Sequence, residues 1–250
     1  HPLLACALFI VPGVPLINFV DDMLDNYIQV GIVRAVNTLL MVAAMAFGIA
    51  FAVKLCSIAN FFPTISMVPH HKYWEYAIAA AISAMGFSMI FNIQRRLLWV
   101  VAIGGIIAVC TRNFVNLGPS TNNIGLDMGL VIGSFSGSVL VSLIAIKAVH
   151  WFHVPNHVLT IPSVIPMIPG VLMYRMLFGL INMNVQSIDQ VTPLMKAIES
   201  GVNSGLVIMC IALGVAIPNI FGRRFIAASK NKRLAAILKE RKARGKFVEW

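Results

Sequence analysis

The chain has 250 residues, of which 59% are hydrophobic and only 11% charged, with a mean hydropathy of +0.86. A soluble domain usually carries about 25% charged residues, and a chain of this length cannot bury so many apolar helices on every side, which excludes a soluble enzyme or scaffold. The formal charge of +10 is lopsided: ten of the 19 Lys and Arg fall in the last 28 residues.

In chain order, a partial apolar segment (1–11) leads into VPGVPLIN at 11–18. Pro removes an amide donor and Gly loosens the backbone, so Pro12-Gly13-Val14-Pro15 is expected to interrupt a membrane helix. Asn18 follows, then the acidic cluster Asp21-Asp22-Asp25. A span is expected at 28–52, opened by Gly31-x-x-Arg34 and carrying Asn37 and Gly48 eleven residues apart. Residues 1–54 thus read as the last two spans of a first repeat, and 55–75 as a connecting loop.

Three further spans are expected at 76–93, 97–114 and 125–148. Arg95 and Arg96 mark the first turn between them, and the 115–124 loop is uncharged. Asp127 suits a helix N-terminal cap. Gly129, Gly133 and Gly137 form a four-spaced stripe with serines beside it, the pattern of close helix packing. His150, His153 and His157 straddle Pro155 with no carboxylate or Cys close by, so an interfacial loop is read there rather than a metal site. No metal and no cofactor are expected. Cys6, Cys56, Cys110 and Cys210 are scattered without CxxC spacing and read as small buried hydrophobes.

The span at 158–182 repeats the opening pattern. Pro166–Gly170 interrupts it, with Pro169-Gly170 answering Pro12-Gly13, and Arg175 aligns with Asn18. In mid-membrane an arginine costs about 2.5–3.5 kcal/mol on insertion scales, so Arg175 calls for a carboxylate from protein or substrate, unless it snorkels to the interface. The last span, 197–220, carries Glu199, then Asn203 and Gly214, again eleven apart. Residues 76–222 read as a second, five-span repeat. The 223–250 tail is basic with an apolar stripe, suited to anionic lipid at the cytoplasmic face rather than to nucleic acid.

With that tail in the cytoplasm, the Arg95–Arg96 turn and the Lys147 loop fall inside, and the uncharged 115–124 and Lys/Arg-free 183–195 loops outside. Lys54 and Lys72 run against the rule. The two Pro-Gly segments are then five crossings apart and point opposite ways, as in inverted-repeat carriers. The fold class expected is all-α: a polytopic membrane helical bundle with inverted repeats and Pro/Gly-broken helices. By the repeat, about three more spans are expected before His1.

PGVPLIN followed by Asp22 and Gly31-x-x-Arg34 resembles the first half of the threonine/serine exporter family. GFSMIFNIQRR (86–96) and PSVIPMIPGVLMY (162–174) resemble that family's smaller C-terminal membrane domain. The two halves are separate partner proteins in some bacteria, and both lie on this chain. The resemblance covers nearly all of 1–222 and implies a ten-span exporter of threonine or serine, with related two-component systems implicated in dicarboxylate export.

The residues themselves imply a carrier of a small zwitterionic or anionic substrate working by alternating access, and the resemblance implies the inner membrane of a bacterium. A half-helix starting at a break aims its positive end at a carboxylate. Substrate contacts are expected from Pro12, Gly13, Asn18, Asn37, Pro169, Gly170, Arg175 and Asn203. Asp22 and Glu199 are the candidates for proton coupling. The lipid bilayer and protons are the other expected partners, with self-association left open. A dicarboxylate exporter is the competing carrier and would need a second cation, for which Arg34 is the candidate. A passive channel would want rings of like residues. An intramembrane hydrolase would want a nucleophile and base, and neither GxSxG nor HExxH is present.

Overall fold

The computed structural model describes residues 13–55, 72–118, 124–152, 154–181 and 191–243, and among these every regular element is helical. In chain order the helices are α1 (Gly13–Leu24), α2 (Ile28–Leu55), α3 (Tyr73–Ile90), α4 (Leu98–Asn116), α5 (Leu130–Phe152), α6 (Asn156–Val164), α7 (Gly170–Ile181) and α8 (Val191–Ala243). Single 3-10 turns sit at Arg95–Leu97 and Ile165–Met167. Pro12, the apolar segment before it, His153 and most of the 55–75 loop lie outside the described residues.

Four described helical stretches are long and apolar enough to cross a membrane: Ile28–Met45, Arg95–Asn116, Leu130–Val149 and Leu194–Gly222. The expected 158–182 span is a bent pair, Asn156–Met167 and Gly170–Met176, meeting at 54° and counting as a fifth crossing if taken as one span. The expected 76–93 span is α3, which stands outside those four; its first turn holds Tyr73, Glu75 and Tyr76. The final span does not stop at 220: α8 continues without a break to Ala243, through the start of the basic tail.

Helix boundaries follow local chemistry. α1 is helical from Gly13 and carries Pro15 two residues on. Asn26 turns the chain with φ 69°, a left-handed conformation Asn tolerates, and Gly31 lets α2 return against the Phe19 carbonyl and Met23. Asp127 is not the cap of α5. It takes φ 53°, Gly129 takes φ 89°, and α5 begins only at Leu130. Residues 126–128 fold back instead onto the end of α4: the Leu126, Met128 and Asp127 amides donate to the carbonyls of Phe114, Val115 and Leu117 at 2.9, 2.9 and 3.2 Å. These bonds satisfy carbonyls that a helix C-terminus leaves unpaired.

One core joins both halves of the chain. Ile17 and Val20 of α1 pack with Val109 of α4, Val141 of α5, Met167 of the turn, and Val207, Ile211 and Val215 of α8. Two members of the glycine stripe pack closely: a Cβ on Gly137 would sit 2.6 Å from the Ala108 carbonyl, and one on Gly133 2.6 Å from that of Arg112, whereas Gly129 precedes α5 and has nothing within 4 Å. Outward-facing positions are apolar, and Trp74, Trp99 and Trp151 stand exposed near helix ends, where indole rings suit a membrane interface.

Candidate functional site

The second break is built by three prolines. Pro162 lies inside α6, Pro166 in the 3-10 turn and Pro169 just before α7, so three backbone amide donors are missing between 162 and 169. The Ile168 amide falls back on the Ile165 carbonyl at 3.0 Å, and the Gly170 amide turns to Ile168 at 2.9 Å. The Met167 carbonyl is met from a neighbouring helix: Arg112 of α4 donates to it through Nη1 at 3.4 Å.

Gly13, the first described residue of α1, meets the second break. Gly13 is buried, and a Cβ there would lie 2.6 Å from Ile168 Cδ1, with Ile165 at 3.8 Å. The two Pro-Gly segments, 157 residues apart in sequence, are therefore in contact. α7 starts at Gly170, and α1 is helical from Gly13 onward. Each short helix packs on the long helix that follows it and on the long helix of the other unit: α1 on α2 and α8, α7 on α8 and α2.

From that junction the short helices leave toward opposite ends of α8. Near the end of α1, Asp21 Oδ2 lies 3.8 Å from His157 Nε2, which in turn lies 3.4 Å from Asn219 Nδ2 of α8. Near the end of α7, Gly179 abuts Ala197 of α8, and Gly201 abuts Met176. Ala197 and Asn219 are separated along the helix by about 33 Å at 1.5 Å per residue.

A cavity of about 440 Å³ runs beside the junction at the His157 end. Val14 lines it near Gly13, Ile161 and Pro162 line it below the second break, and Asn92, Gln94 and His157 supply its polar wall. Such a volume falls within the usual range for small-molecule sites.

Of the expected site residues, Gly13, Pro169 and Gly170 belong to this junction, and Asn18 lies half-buried on α1. Arg175 is half-buried on α7. Asn37 on α2 and Asn203 and Glu199 on α8 are exposed. Asp22 forms an ion pair with Arg34 at 2.5 Å, closing the α1–α2 hairpin. The Asn/Gly pairs differ in surroundings: Gly214 is pressed onto Phe135 and Ser138 of α5, whereas Gly48 has open space beside it.

Two polar residues at the junction are absent from the sequence expectations. Arg112 donates to the Asn113 side chain through Nε and Nη2 at 3.3 and 3.2 Å, besides its contact with Met167. The signal is there in AVCTRNFV: a cation inside an apolar run, to which the cost invoked for Arg175 applies equally. Ser204, next to Asn203, is buried between the α7-facing Gly201 and Ile208, and its hydroxyl has no hydrogen-bond partner among the described residues. No sequence motif marks it.

Comparison with known families decides the class. The profile described as "Threonine/Serine exporter, ThrE" matches residues 76–221, more than half of the chain. The chain belongs to the threonine/serine exporter family. A second profile of threonine/serine exporters matches residues 1–56, so both ends of the junction fall within matched sequence. No solved structure matches the chain. Family membership and the apolar helices together make this a multi-pass membrane transporter of the exporter type, not an enzyme.

Proposed function

We propose that this exporter moves threonine or serine out of the cytoplasm by alternating access about the α1–α7 junction, driven by protons. The observation that carries this reading is the contact of Gly13 with Ile165 and Ile168 beside a cavity of about 440 Å³. Backbone freed at a break is tolerated in a membrane only against protein or water, so the second break, with Gly13 of the first Pro-Gly pair against it, favours a hydrated site there. The divergence of α1 and α7 toward opposite ends of α8 supports two units of inverted orientation.

The cavity lies at the end that carries Arg95, Arg96 and the root of the basic tail. The positive-inside bias makes that end cytoplasmic, in the bacterial inner membrane, so the cavity receives cargo from the side an exporter must empty. Gly13, Pro169 and Gly170, with Pro12 before them, form the backbone of the site, and Asn18 and Arg175 orient the substrate. Asn37 and Asn203 join them only when a further helix or a second copy of the chain covers their exposed faces. Asp22 and Glu199 are the coupling carboxylates; protonation of Asp22 would release Arg34 and loosen the α1–α2 hairpin.

The amino-acid substrate follows the family match, and Arg34, the cation expected to serve a dicarboxylate, is paired with Asp22. The test is counterflow in proteoliposomes of the purified protein. Labelled threonine is expected to accumulate against its gradient, more so with an imposed proton gradient, and labelled succinate is not. Succinate exchange without threonine exchange would overturn the substrate assignment, and equilibration without accumulation would make the protein a channel.

A further inference from the structure

We infer that Arg112 is the substrate's carboxylate receptor. Its guanidinium is densely surrounded by protein, and the residue keeps some accessible area. Its contacts are with two neutral oxygens, Asn113 Oδ1 at 3.2 and 3.3 Å and the Met167 carbonyl at 3.4 Å, all at or beyond the long end of the usual N–H···O range. No Asp or Glu among the described residues forms an ion pair with it. A guanidinium has five N–H donors in a planar fork, so these contacts leave two N–H groups without an acceptor. The partner that complements such a fork is a carboxylate, held through two parallel N–H···O bonds.

The surroundings select an anion at the same point. α7, twelve residues long, begins at Gly170, three residues beyond the Met167 carbonyl that Arg112 touches, and its N-terminal end carries positive partial charge. Gly133 and Gly137 bring α5 within backbone contact of α4 around Arg112 and place Met167 Sδ 3.1 Å from where a Gly137 Cβ would be. The hydrogen bonds to Met167 and Asn113 hold the guanidinium beside the break. An arriving carboxylate takes over Nη1 from the long Met167 contact, and this ties substrate occupancy to the conformation of the break.

The assignment deepens the exporter reading and rests on it for the identity of the anion, but its test is separable from transport. Purified wild-type protein is treated with phenylglyoxal, which modifies accessible arginines, and the Arg112 peptide is followed by mass spectrometry. Threonine is expected to slow modification of Arg112 at least fivefold, and threoninamide, which lacks the carboxylate, to leave it unchanged. In proteoliposomes, Arg112→Gln is expected to raise the threonine KM at least tenfold and to abolish the preference for threonine over threoninamide. Arg112→Lys, keeping the charge but not the fork, is expected to fall between.

Protection of Arg112 by succinate but not by threonine would sink the amino-acid assignment and leave the carboxylate receptor standing. An Arg112 that phenylglyoxal does not reach, or that reacts equally with and without either acid, overturns the inference. So does Arg112→Gln with wild-type KM and wild-type discrimination, even if the exporter reading survives.

Discussion

Ile168 closes directly over Gly13, with 2.6 Å between its Cδ1 and the place a Cβ would occupy. This contact between the two interrupted segments sets a size limit at position 13. Ile168 Cδ1 is the flexible end of a side chain and can yield, so Gly13→Ala is expected to cost less than about 1 kcal/mol and to keep most transport. Gly13→Leu must displace Ile165 as well and is expected to cost about 1–3 kcal/mol. Threonine counterflow should fall at least tenfold in Gly13→Leu, with thermal stability in detergent only modestly reduced. Equal transport by both variants would show that the junction does not need to close on the cargo path.

The Asp22–Arg34 pair separates coupling from stability. Half of the Arg34 side chain is solvent-accessible (49%), so screening holds the stabilising effect of the pair to about 0–1 kcal/mol. Asp22→Asn is therefore expected to leave the melting temperature nearly unchanged. If Asp22 carries the coupling proton, the same variant keeps threonine counterflow but loses the response to an imposed proton gradient. A variant that still follows the gradient transfers that role to Glu199 or to another group.

Much of the fold is legible because prolines and glycines act locally. Pro162, Pro166 and Pro169 each remove a helical amide wherever they fall, so the bend before α7 follows from the sequence. The stripe at Gly133 and Gly137 likewise announces close packing before its partner helix is known. What escapes is non-local. Arg112 stands 55 residues from the carbonyl it contacts, and near the end of an apolar run it reads as interfacial until the α6–α7 break is seen beside it. The matched Asn/Gly spacing fixes a helix face but not the neighbour, which is why Gly214 is packed and Gly48 open. The start of α5 is displaced past Asp127 because the preceding amides bond to the end of α4, a tertiary choice that cap preference does not report.

That difference between glycines makes a controlled pair of substitutions. A side chain on Gly137 would strike the Ala108 carbonyl, which is backbone and cannot rotate away. Gly137→Leu is expected to separate α4 from α5 and to lower the detergent melting temperature by several degrees, consistent with at least about 1–3 kcal/mol of overpacking. Gly48→Leu meets nothing within 4 Å and is expected to fold as the wild type does. Comparable losses in both would mean that α2 is covered by elements beyond the described residues.

The divergence of α1 and α7 predicts a pattern of cross-links that a parallel arrangement cannot give. Gly179 abuts Ala197 near one end of the membrane-crossing stretch of α8 (Leu194–Gly222), and Asp21 approaches Asn219 through His157 near the other. Gly179→Cys with Ala197→Cys should form a disulfide on mild oxidation, whereas Asp21→Cys with Asn219→Cys, spanned by His157, should need a short bismaleimide. The exchanged pairs, Asp21→Cys with Ala197→Cys and Gly179→Cys with Asn219→Cys, lie about a bilayer thickness apart along α8 and should give no product with either reagent. Each cross-link should also report the transport cycle. If the half-helices rock about the junction, threonine will change the yield of the His157-side cross-link more than that of the Gly179–Ala197 disulfide. Efficient linkage of an exchanged pair would place both half-helices on the same side of the junction and remove the geometric basis for alternating access.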